Sequence, residues 1–72
     1  MVKTQTNIYD SSTVEASTYD FKTKELFVTF KHATYRYNDV NVEDYEKFRD
    51  AESQGRALNA HIKQYNYEKI EE

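Results

Sequence analysis

The residues with the most obvious chemistry form a triplet, Tyr35-Arg36-Tyr37. Aromatic faces stack on bases, and a guanidinium takes phosphate or stacks in turn, so the triplet suits single-stranded nucleic acid. Lys22, Lys24, Lys31 and His32 precede it, on the hairpin turns or the open face, and with Arg36 are candidates for a weak basic rim. The plainer reading makes both tyrosines core residues and the lysines ordinary solubilising charge. A second constellation is Ser53 with His61, a nucleophile and a base. No oxyanion-hole motif accompanies it, and 72 residues leave little room for a water-excluded cleft. A non-enzyme is therefore expected. His32 and His61 lack a third ligand at metal-like spacing, so neither a metal nor another cofactor is expected. The acidic run Asp39, Glu43, Asp44, Glu46, Asp50 and Glu52 could imitate the phosphate spacing of a nucleic acid and so occupy a basic site on another protein, but a solvated helix face accounts for it more simply.

Composition narrows the classes further. The chain has no cysteine, so neither a disulfide nor a thiolate site can staple a domain this small. Stability must come from seven tyrosines and four phenylalanines, each able to bury roughly 150–250 Å². The net charge is −3 and unevenly placed: Met1 to Asn38 carries five basic and four acidic residues, Asp39 to Glu72 five and nine. That balance disfavours non-specific nucleic-acid binding by the second half and leaves the first half open to it. No apolar run approaches membrane-spanning length, and no signal-peptide pattern is present. A soluble, cytoplasmic protein without a membrane partner is expected.

The elements that must position these residues follow from periodicity. Residues 1–12 are polar and read as a flexible arm. Val14, Ala16 and Thr18 alternate with polar neighbours as a first strand. Asp20 opens a turn through Lys24. Glu25–Phe30 and Tyr35–Tyr37 are the next strands, joined as a hairpin with Phe30 opposite Tyr35 and Val28 opposite Tyr37. Setting Val14 opposite Phe30 and Ala16 opposite Val28 completes a three-stranded meander. Its second face then shows Ser17, Tyr19, Phe27, Thr29 and Arg36. Asn41 is a good N-cap for a helix running to about Ser53, with Tyr45 and Phe48 on its buried side. Gly55, the single glycine, suits a left-handed C-cap. A second helix from about Arg56 to Tyr65 turns Leu58 and Ile62 inward. The predicted fold is α+β, a three-stranded antiparallel meander followed by two helices on one face, over residues 13–67. An acidic tail, 68–72, frays.

The spacing of several of these residues resembles the KTSC domain family, named after the C-terminus of some lysyl-tRNA synthetases. The family also occurs as stand-alone bacterial and phage proteins. The residues that carry the resemblance are Tyr19-Asp20, Leu26 to Phe30, Tyr35-Arg36-Tyr37 with Val40, Tyr45, Ala51-x-Ser53-x-Gly55, Asn59, Ile62 and Tyr65. Three positions depart from the pattern: Ala33 stands where a glycine is usual, Asn41 where a proline is common, and Ala57-Leu58 where an aromatic commonly follows the glycine. Through the synthetase connection the resemblance implies an association with RNA.

The expectation is a small macromolecule-binding module of the phage- or prophage-effector type. An unknown bacterial protein is the expected partner, contacted through the open sheet face, with RNA as the alternative and self-association open. Tyr19, Phe27, Arg36, Lys24 and Lys31 are the candidate binding residues. Val28, Phe30, Tyr35, Tyr37, Tyr45, Phe48, Gly55, Leu58 and Ile62 are assigned to structure.

Overall fold

The computed structural model describes residues 3–70. Five antiparallel strands form one sheet in chain order: β1 (Thr4–Ile8), β2 (Val14–Asp20), β3 (Glu25–Phe30), β4 (Thr34–Tyr37) and β5 (Tyr67–Ile70). Between β4 and β5 the chain crosses one face of the sheet as α1 (Val42–Arg49), α2 (Gln54–Ala57) and a π-helical segment (Leu58–Ile62). The α+β class and the three expected strands stand. The sheet is wider than expected by one strand at each edge. No helix among the described residues is long and apolar enough to cross a membrane.

Both added strands correct readings of the termini. In place of a flexible arm, residues 4–8 pair with β2 from Thr4↔Asp20 to Ile8↔Ala16. Polar side chains do the anchoring: Gln5 accepts from the Tyr45 hydroxyl at 2.7 Å, and Asn7 Nδ2 donates to the same oxygen at 2.7 Å. Tyr9 follows, set edge-on to Phe48 and hydrogen-bonded to the buried Ser17 hydroxyl. In place of a frayed tail, residues 67–70 pair with β4, and Glu68 meets Arg36 at 2.9 Å. Residues 1–2 of the arm and 71–72 of the tail lie outside the described residues.

A β-bulge decides which side chains enter the core. Val14 pairs with Phe30 as expected, but the register then shifts, so Ala16 meets Thr29 and Ser17 meets Val28. One extra residue on a strand turns every later side chain to the opposite face. Ser17 and Tyr19 therefore join Leu26 and Val28 under the helices instead of facing solvent. The β3–β4 hairpin also departs, by two residues: Phe30 N–H bonds to Ala33, and Val28, not Phe30, faces Tyr35. A two-residue slip preserves parity, so the expected facing of Val28, Phe30, Tyr35 and Tyr37 survives.

The helix boundary moves for a local reason. Asn41 caps α1 as expected, accepting the Glu43 N–H at 2.8 Å. The Gln54 side chain then donates to the Ala51 carbonyl at 2.8 Å and more weakly to Arg49, satisfying acceptors at the end of α1. No left-handed glycine is needed there. Ser53 instead caps the start of α2, and Gly55 lies in its first turn with an ordinary φ. A Cβ at Gly55 would come 3.4 Å from Thr13 Oγ1, so what the residue offers is a close approach of α2 to the loop before β2. The left-handed conformations fall instead at Lys24 and Asp39. Lys24 is held by its N–H on Asp20 and its carbonyl on Val40. Past Ala57 the helix widens, with Lys63 N–H reaching Leu58, five residues back.

Candidate functional site

The open sheet face holds Phe27 and Arg36 as expected, but not as a stacking platform. Phe27 is half-buried between Thr18 and Arg36 in the register. Arg36 is neutralised by Glu68 at 2.9 Å and Glu25 at 3.7 Å. Around them the face is threonine-rich: Thr6 bonds Thr18, and Thr34 bonds Thr29. Tyr19 is a correction. It is 1% exposed, stacked on Tyr45 at 4.3 Å, and its hydroxyl donates to the Val40 carbonyl at 2.6 Å. Burial pushes its phenol up, so it remains a neutral donor. Lys24 and Lys31 do not form one rim. They sit beyond opposite ends of β3, about 20 Å apart by strand rise.

The remaining candidates are dispersed. Ser53 and His61 both line a shallow hollow, but the Ser53 hydroxyl accepts the Arg56 N–H and no hydrogen bond joins it to His61 among the described residues. The acidic run is divided as well. Asp44 accepts from Tyr65, Asp50 pairs with Arg49, and Glu43 and Glu46 face solvent. No group of three metal-binding side chains is found among the described residues.

The side of the sheet under the helices supplies a different site. Beyond the packed core, Phe30, Tyr35, Tyr37 and Tyr67 meet Leu58, Asn59 and Lys63 around a cleft of about 380 Å³. Strand pairing puts Tyr35, Tyr37 and Tyr67 on one face, because Tyr37 opposes Tyr67 and Tyr35 opposes Lys69. The rings tilt against each other at 5.5 Å, and Phe30 sits edge-on to Tyr35. The widened π-helical turn carries Leu58 and Asn59 to the opposite wall. Two residues assigned to structure, Phe30 and Tyr35, are thus only partly buried and line an opening. Tyr37 is 4% exposed and is core as expected.

The cleft is aromatic and cationic together. Lys63 lines it, Lys69 shares its face on β5, and Lys31 follows Phe30; all three are exposed. None of these lysines is in an ion pair among the described residues, and no carboxylate lines the opening. The hydroxyls also differ from those elsewhere. Tyr9, Tyr19, Tyr45 and Tyr65 each have a hydrogen-bond partner, whereas those of Tyr35, Tyr37 and Tyr67 have none among the described residues. Burial, then the neighbouring Tyr67 and Tyr35, pushes the Tyr37 phenol up, so it stays an O–H donor. Sequence reasoning missed Tyr67 and Lys63, the first because it closes the predicted domain beside what read as a fraying tail. The spacing of Tyr67 and Lys69, two apart and so on one face of a strand, was the available signal.

Comparison with known proteins agrees with the architecture. The family model of the KTSC domain matches residues 10–67. A crystal structure of a KTSC domain protein from Yersinia pestis superposes with a TM-score of 0.87 at 28% identity, covering 94% of this chain and 99% of the other. Among curated proteins none matches.

Proposed function

This chain belongs to the KTSC domain family, and we propose that it is a non-enzymatic binding module for an extended polypeptide segment of a partner protein. The observation that carries the reading is that Tyr67 belongs both to the aromatic cleft and to the free edge of β5. Asn66 accepts the Asn38 N–H, so by strand alternation 66, 68 and 70 direct their backbone groups to β4. Tyr67 and Lys69 direct theirs outward. A segment adding to this edge would bond those two residues, and its alternate side chains would pass over the cleft. The three open tyrosine hydroxyls and the rim lysines favour a segment carrying a ring and a carboxylate. Compared with this cleft, the open sheet face offers a half-buried Phe27 and a neutralised Arg36.

A peptide-display selection against the immobilised protein tests the reading. Selected peptides should lose roughly tenfold or more in affinity against Tyr67→Ala. Retained affinity would remove the cleft as the site. One observation also favours a second reading, single-stranded RNA: Lys63 and Lys69, neither in an ion pair among the described residues, stand beside the tyrosine rings of the cleft. That reading predicts binding of a labelled oligoribonucleotide that weakens steeply with salt and on Lys63→Glu. No binding at low salt would exclude it.

A further inference from the structure

The opposite edge of the sheet carries a different property. β1 spans Thr4–Ile8 without a charged residue, a proline, a glycine or a bulge. Edge strands in soluble proteins are ordinarily blunted by one of those devices, because their outward N–H and C=O groups template another strand. β5, at the other edge, carries Glu68 and Lys69, which disfavour its pairing with a second copy of itself. A symmetric pairing of β5 centred on either residue would set like charges face to face.

The backbone directions of β1 can be read from its ends. Lys3 accepts the Phe21 N–H, and the Tyr9 N–H bonds to Glu15. Residues 3, 5, 7 and 9 therefore direct their groups to β2, and Thr4, Thr6 and Ile8 direct theirs outward. An antiparallel copy related by a two-fold axis through Thr6 pairs Thr6 with Thr6, and Thr4 with Ile8. Those are the three outward residues, all matched to one another in a single register. Gln5 then lies beside Asn7 of the other copy. Lys3 of each copy comes level with Tyr9 of the other, so no like charges are set opposite each other along the pairing. Ile8, 80% exposed in a single chain, gains a neighbour.

We propose that the β1 edge is a self-association surface at which two copies pair antiparallel through Thr4, Thr6 and Ile8, joining their sheets into one of ten strands. The contact is a single short strand, well below the area of a standard interface, so the dimer is weak and forms at high concentration. It leaves β5 and its cleft free in both copies.

Sedimentation over roughly 10–500 µM tests this, a range suited to weak association. The wild-type chain should show a concentration-dependent dimer. Thr6→Lys, which places two lysines opposite each other at the axis, should raise the dissociation constant roughly tenfold or more. Tyr67→Ala, at the other edge, should leave it unchanged. Amide exchange reads the same event without a substitution: the Thr6 N–H should slow as concentration rises. A chain that stays monomeric throughout overturns the proposal. So does a dimer that Thr6→Lys leaves intact, one that Tyr67→Ala dissolves, or a Thr6 exchange rate independent of concentration.

Discussion

Two groups of aromatic residues lie on the same side of one sheet, and they are built differently. Beside α1, Tyr19 and Tyr45 stack with ring planes 9° apart. Phe21 stands edge-on to both, and Arg49 lies over Tyr45. Both tyrosine hydroxyls there are hydrogen-bonded, to Val40 and to Gln5. Beside the π-helical turn, Tyr35, Tyr37 and Tyr67 are tilted against one another, around open space, with hydroxyls lacking protein partners. A filled, satisfied cluster has its interactions committed to the fold. A cleft with unused donors has them to offer. Aromatic content alone could not separate the two, because the residue types are the same.

The comparison breaks most readily at Tyr45. Tyr45→Ala should cost about 3–5 kcal/mol of stability, since a fully buried ring leaves a cavity and Gln5 and Asn7 lose their anchor. Tyr67→Ala, at a residue 54% exposed, should cost about 1 kcal/mol or less while weakening peptide binding. Urea denaturation of the pair measures both. If the two substitutions cost the same, the division into a structural and a functional cluster is wrong. Tyr19→Phe sharpens it more finely. The ring stays, the Val40 carbonyl loses its donor, and about 1–3 kcal/mol should be lost. The smallest effect lies at the turn below this cluster. Backbone N–H groups of Thr23 and then Lys22 hold the Asp20 carboxyl below the usual carboxylate range. A pKa lowered on folding contributes stability that is present above the unfolded value and lost as pH falls through the folded one. The melting-temperature advantage of wild type over Asp20→Ala should therefore narrow in acid.

The elements that were readable have local causes. Asn41 and Asp20 accept N–H groups two residues on, which their spacing foretells. The hairpin kept its buried face despite a two-residue slip, because alternation is insensitive to even shifts. The candidate site was less readable. Tyr35 and Tyr37 were rightly set under the helices, but the third tyrosine of the cleft, Tyr67, lies 30 residues beyond Tyr37. The lysines nearest the triplet in sequence went to opposite ends of β3. Those at the cleft, Lys63 and Lys69, come from the other end of the chain.

Composition, alternation and caps were enough for an α+β domain with an aromatic core, one sheet face covered and two helical segments after the hairpin. Those properties depend on residues within a turn or a strand of each other. The edges, the bulge and the cleft were decided by long-range pairing. Gln5 and Asn7 look like solvent-facing polar residues until Tyr45 reaches them from 40 and 38 positions away. One extra residue at the β2 bulge turned Tyr19 from a surface candidate into the centre of the core. A strand's pattern fixes which side chains share a face, but only its partner strand fixes where that pattern is interrupted.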